Sequence, residues 1–221
     1  MKKLSIRFLF VVFLLIIMFV SFDCKKNDNN PISTESPASE NTWSQTSFPA
    51  LRVNSITTNA VGYIFVGTDS NGIYRSTDVG ATWTQINNGL TENHINVVCT
   101  AITSGDLYAG TGGAGIFHST DQGITWKDID PFSSSNADVY SIAVNGKGDI
   151  FAATNLGMVL RTTNGGSLWT ALTISTSIST IYSLAIDTAG TIFAGTSSSI
   201  AISTNNGNSW KRPRQVVQDK M

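Results

Sequence analysis

Residues 76–83 read "STDVGATW" and residues 119–126 read "STDQGITW"; two looser copies, "TTNGGSLW" and "STNNGNSW", end at Trp169 and Trp210. The tryptophans Trp83, Trp126, Trp169 and Trp210 are spaced by 43, 43 and 41 residues, and Gly80, Gly123, Gly166 and Gly207 keep the same intervals. An acid and a glycine at fixed distance before a tryptophan suit either a reaction or a turn. The later copies decide it, because Asn164 and Asn205 replace Asp78 and Asp121. An amide oxygen still accepts turn hydrogen bonds, but it cannot act as a general acid or base. A single active site also needs unlike residues converging, whereas these recur once per copy. The stretch is therefore expected to be a turn, with glycine supplying positive φ, the Asx side chain accepting N–H groups and tryptophan covering the hairpin.

The segments upstream of each tryptophan repeat as well. An apolar run ("VNSITTN", "INVVCTAI", "VYSIAVN", "IYSLAID") is followed by "GYIFVGT", "GDLYAGT", "GDIFAAT" or "GTIFAGT". A third segment ("GIYRST", "GIFHST", "MVLRTT", "SIAIST") leads into the turn, and a fourth starts at the tryptophan. Each unit is thus four short strands. The innermost runs are nearly continuously apolar and are expected to be covered on both sides. Phe65, Tyr108, Phe151 and Phe193 align in the second strands as core residues.

Four-stranded antiparallel units of about 40–45 residues are propeller blades. The fold class expected is all-β, with about four blades over residues 42–211. Trp43, in "NTWSQTSF", marks an orphan outer strand that lacks its three predecessors. Three arrangements follow: a small closed propeller, an open arc whose ends pair with another chain, or a truncated relative of a longer propeller. Open blade edges predict self-association, because unpaired strands template it, or else marginal stability.

The S-x-D-x-G-x-T-W pattern resembles the Asp-box, or BNR, repeat of sialidases, sortilin-type propellers and photosystem II assembly-factor-like propellers. The resemblance implies ligand sites on the face that carries the interblade connections and the turns between second and third strands. Candidates there are Arg52, Glu92, His94, Phe132 and Asp138 from the connections, with Asp69, Asn71 and Asn155 from the turns. A retaining sialidase needs an arginine triad on the substrate carboxylate, a tyrosine nucleophile and an acid. That face offers only Arg52; Arg75 and Arg161 precede box turns, and Arg212 and Arg214 follow the last tryptophan. The expectation is a non-enzymatic binding or scaffold protein for a glycan or an envelope protein. A sialidase-like glycoside hydrolase relative is the alternative.

Other chemistries find little footing. His94 and His118 are the two histidines, and neither has a second ligand at zinc spacing, so no metal and no cofactor are expected. The "GTGGAG" at residues 110–115 fits a dinucleotide fingerprint, but a strand follows where a helix is required. Cys99 sits in an apolar run and reads as a small buried, inert residue. A net charge of −1 with 13% charged residues gives no basic footprint for nucleic acid.

The first 24 residues stand apart. Lys2, Lys3 and Arg7 precede the apolar run at residues 8–20, and Cys24 follows. This resembles a bacterial lipoprotein signal, with lipidation at Cys24, although Asp23 stands where that family has a small residue. Plain secretion and a signal anchor are the other readings. Residues 25–41 form a polar tether and residues 212–221 an irregular tail. The resulting location is a bacterial cell envelope, lipid-anchored on an outer or periplasmic membrane surface, or outside the cell.

Overall fold

Runs rich in β-branched residues, cut at short intervals by glycine turns, form fifteen short strands and no helix among the described residues. The computed structural model describes residues 46–130, 137–175 and 178–211. These lie in the second of two compact units, Ser44–Met221; the first is Met1–Trp43. Cys24, Trp43, Phe132, the tether and the tail lie outside the described residues.

The first blade contains β1 (Val53–Thr58), β2 (Ile64–Thr68), β3 (Ile73–Ser76) and β4 (Thr84–Gln85). The second contains β5 (Ile95–Thr100), β6 (Leu107–Thr111), β7 (Ile116–Ser119) and β8 (Lys127–Asp128). The third contains β9 (Val139–Val144), β10 (Ile150–Thr154), β11 (Met158–Thr162) and β12 (Thr170–Thr173). Each is an antiparallel sheet in chain order. The fourth departs from the four-strand expectation. Among the described residues it holds β13 (Ile181–Ile186), β14 (Ile192–Thr196) and β15 (Ile200–Ser203), with one bridge between Ile202 and Lys211 at the outer strand's place.

Residues directly opposite across a sheet share a face. In the first blade Ile56, Val66 and Tyr74 form one row and Thr57, Phe65 and Arg75 the other. The cores form between blades. Phe65, Ile73 and Ile86 meet Val98, Ala109 and Phe117 of the second blade. Tyr108 and Ile116 meet Ile142, Ala152 and Leu160 of the third. Phe151 and Val159 meet Ala194 and Ala201 of the fourth.

Two expectations about burial need correction. The strands buried along their whole length are the second ones, β6 and β10, while the innermost β5 and β9 are only partly covered. β6 and β10 have a strand on each edge and a blade on each face; innermost strands end their sheets. Phe193 is the other correction. It is 36% exposed, whereas Phe65 and Phe151, at the same place in their blades, are fully buried.

The cause lies in the arrangement. Innermost strands contact one another in chain order, β1 with β5, β5 with β9 and β9 with β13, and no contact of that extent returns from β13 to β1. The four blades form an open arc. Exposed side chains are frequent on β1 and β13 and sparse on β5 and β9.

Candidate functional site

The repeated turn is built around a buried hydroxyl. Ser76 Oγ donates to Asp78 Oδ1 at 2.8 Å and accepts the Gly80 N–H at 2.8 Å. Asp78 then accepts the Thr82 N–H on Oδ1 at 2.8 Å and the Thr82 hydroxyl on Oδ2. Ser119, Asp121, Gly123 and Thr125 repeat this arrangement. In the third copy Asn164 Oδ1 accepts the Leu168 N–H at 2.9 Å, and in the fourth Asn205 Oδ1 accepts the Ser209 N–H at 2.9 Å. Thr162 and Ser203 supply the hydroxyl there.

Sequence reasoning singled out the acid and the glycine and missed Ser76, Ser119, Thr162 and Ser203, which are nearly inaccessible. Their invariance as hydroxyl residues across the four copies was the available signal. It also expected one left-handed residue per turn, and there are two. Val79 (φ 59°), Gln122 (φ 61°) and Asn206 (φ 59°) precede the glycines, and Gly165 (φ 68°) takes that place in the third copy. A β-branched residue is poorly suited to this region, and Asn tolerates it. Val79 is exposed, so Val79→Asn is expected to raise stability by about 0.5–1 kcal/mol in urea unfolding.

The Thr82 side-chain and backbone hydrogen bonds, helped by Ser76, hold the Asp78 carboxyl down at about 2. Thr125 and Ser119 lower Asp121 in the same way. A depressed folded pKa stabilises above the unfolded value, near 3.9, and that contribution fades as pH falls toward the folded value. The acid sensitivity therefore belongs to the first two turns, since Asn164 and Asn205 do not titrate. Asp78→Asn should flatten the fall in melting temperature between about pH 4 and pH 2.

Two of the tryptophans act across the seams between blades, beyond covering their own hairpins. Trp126 Nε1 donates to the Ile86 carbonyl at 2.8 Å, and Trp169 Nε1 to the Ile129 carbonyl at 2.9 Å, each in the preceding blade. Ile86 and Ile129 come three residues after the preceding tryptophan, and Thr46 stands at the same interval from Trp43. Thr46 indeed lies beside Gly80, and Phe48 meets the Trp83 ring edge-on at 4.9 Å. This short segment holds the place of a preceding outer strand without forming a ladder. The arginines bridge seams in the opposite direction. Arg75 donates to the Gln122 carbonyl at 3.0 Å and Arg161 to the Asn206 carbonyl at 2.6 Å, each in the next turn. His118, in the same register, instead pairs with Asp106 at 3.0 Å and stacks on Tyr108 with ring centres 4.6 Å apart.

On the connection face the candidate residues fall into two groups. Asp69 lies 3.9 Å from Arg52, 3.5 Å from His94 and 3.5 Å from Asn54. Arg52 and Asp69 are open to solvent, so their ion pair contributes little to stability. Asp138 accepts from Asn155 Nδ2 at 3.3 Å and from the Tyr140 hydroxyl at 3.2 Å, and its own N–H donates to Asn155 Oδ1. Glu92 joins neither group; its Oε1 caps its own turn by accepting the N–H groups of Asn93 and His94 at 2.7 and 2.9 Å. Asn71 accepts from Ser70 within its turn. Among the described residues no group of three or more His, Cys, Asp or Glu side chains is arranged to hold a metal. Cys99 is half-buried, short of the full burial expected, and desolvation still pushes its thiol up to about 11.

Tyr140 and Tyr182 were missed by the sequence reading. Their rings lie 5.9 Å apart at 34°, and Tyr182 is 56% exposed. Burial and the adjacent Asp138 carboxylate push the Tyr140 hydroxyl upward, so it stays protonated as a donor. The signal was the second position of each innermost run, where Asn54 and Asn96 give way to tyrosine in the third and fourth blades.

Residues 35–193 match the family model described as photosynthesis system II assembly factor YCF48. The chain belongs to this family. No curated protein matches it. Among solved structures it resembles YCF48 from Cyanidioschyzon merolae, at 17% identity and TM-score 0.62 over 80% of this chain and 60% of that one. An ancestral GH74 enzyme is similar at 24% identity and TM-score 0.66, over 73% of this chain and 24% of the enzyme. The extracellular domain of a putative one-component system from B. thetaiotaomicron is similar at 20% identity and TM-score 0.64, covering 77% and 23%. These likenesses show the propeller fold, and the chain spans about a quarter of the latter two proteins.

Proposed function

We propose that the chain is a non-catalytic binding module that engages a glycan through its connection face. The pairing of exposed Tyr182 with half-buried Tyr140, beside Asp138 and Asn155, carries this reading. Aromatic rings supply flat apolar contact for a sugar ring, while a carboxylate and an amide orient its hydroxyls. Asp69 with Arg52 and His94 extends the polar surface of that face. The box acids support the reading negatively, because Asp78 is held ionised by its own turn and has no proton to give near neutral pH.

A second reading follows from family membership: the face receives an envelope protein during an assembly step. In either case the location proposed is a bacterial envelope surface, reached through lipidation at Cys24 or by secretion. A glycan array run alongside a pull-down from envelope extract tests both. Tyr140→Ala and Tyr182→Ala are each expected to weaken glycan binding by about tenfold. Glycan binding unchanged in both variants would discard the first reading, and turnover of an umbelliferyl glycoside would discard the non-catalytic one.

A further inference from the structure

We propose that a second copy of this chain docks head to tail on the open arc, placing β1 of one copy against the β13–β14 face of the other. This goes beyond the binding role and does not depend on it.

The contact already exists three times within the chain. Every seam is made by the trailing face of one blade and the leading face of the next. At the first seam Gly67 leaves room for the following innermost strand: a Cβ there would lie 2.7 Å from Ile95 and 3.0 Å from Val98. At the second seam a Cβ on Gly110 would lie 2.6 Å from Val139. Gly195 is the matching glycine of the fourth blade, opposite Ile200 as Gly67 is opposite Ile73. A Cβ on Gly195 would meet only its own sheet, at Ser183. The socket is formed, and among the described residues nothing from another blade enters it.

The matching knobs stand free at the other end of the arc. Val53 and Ile56 hold the places in β1 that Ile95 and Val98 hold in β5. Ile56 is 66% exposed and Val98 only 3%. Around the empty socket Ile200 is 55% exposed, whereas Ile73 and Val159 at its register are fully buried. The polar stitch is provided as well. Ser55 Oγ accepts the Val98 N–H at 3.0 Å and Ser141 Oγ accepts the Leu184 N–H at 3.0 Å. Ser183 is the next in that series and faces solvent, and the N–H it would receive is that of Ile56 in the other copy.

The two ends are therefore unlike and complementary, which makes the contact heterologous: two copies that satisfy both ends close a ring, and copies that do not close form a run. Buried apolar area drives the contact, as it does within the chain.

Sedimentation equilibrium of the full chain in mild detergent tests the proposal. The parent is expected to form species of two or more copies. Ile56→Asp and Ile200→Asp, both at positions exposed in a lone copy, should each weaken association by about a hundredfold or more, the scale of an unpaired charge in a dry interface. Because each variant keeps one intact end, mixing the two should restore a 1:1 pair, which also shows that both are folded. A parent that stays monomeric at every concentration overturns the proposal. So does association that both substitutions leave unchanged, or a mixture that remains monomeric.

Discussion

Trp126→Ala is expected to remove about 3–5 kcal/mol of stability, measured by urea unfolding, and to be the most damaging single truncation in the chain. Trp126 is the one box tryptophan that is almost wholly inaccessible, and it belongs to the apolar cluster joining the first two blades. Its loss leaves a ring-sized cavity and strips the Ile86 carbonyl of its donor. Domains of this size are stable by only about 5–15 kcal/mol, so the variant should lose a large part of its margin. Trp210→Ala should do less, since that ring is only partly buried and its buried Nε1 has no hydrogen-bond partner.

Gly89→Ala is expected to cost about 3 kcal/mol or more at the same seam. Gly89 has φ 93°, and a Cβ there would overlap the backbone carbonyl oxygen of Trp126. Backbone cannot swing aside as a side chain can, least of all here, where the Trp126 N–H donates to the Asn88 carbonyl at 2.9 Å. Gly105→Ala provides the comparison. Gly105 has φ 78° with nothing within 4 Å of the added atom, so only the left-handed penalty of about 1 kcal/mol applies. Equal losses in the two variants would show that the seam yields and that dihedral preference alone matters.

Blade architecture was legible because a repeat announces itself at every level. Strand lengths, turn glycines and the tryptophan interval all agree, and each copy corroborates the others. Burial was less legible. Phe193 and Phe65 sit in nearly identical segments, yet one is a core residue and the other is not, because the atoms that bury them belong to the following blade. The hydroxyl at the heart of the box was hidden by its ordinariness in a chain rich in Ser and Thr. Tyr140 and Tyr182 were hidden for a related reason. Aligned within apolar runs they passed for core, and only their place at the start of β9 and β13 brings them to the connection face. Asp69, Arg52 and His94 meet although they come from one turn and two different connections, a proximity that depends on the curvature between blades.

The arc also fixes how the molecule comes apart. Its cohesion runs through three seams in series, so the chain behaves as a row of units coupled only to their neighbours. β6 and β10 each lie between two seams, while β2 and β14 are held by one. In a lone copy, amide protons of the middle blades should exchange only through global unfolding, and those of the outer blades through local opening. Flexibility in this protein is set by position along the row, not by the composition of any blade.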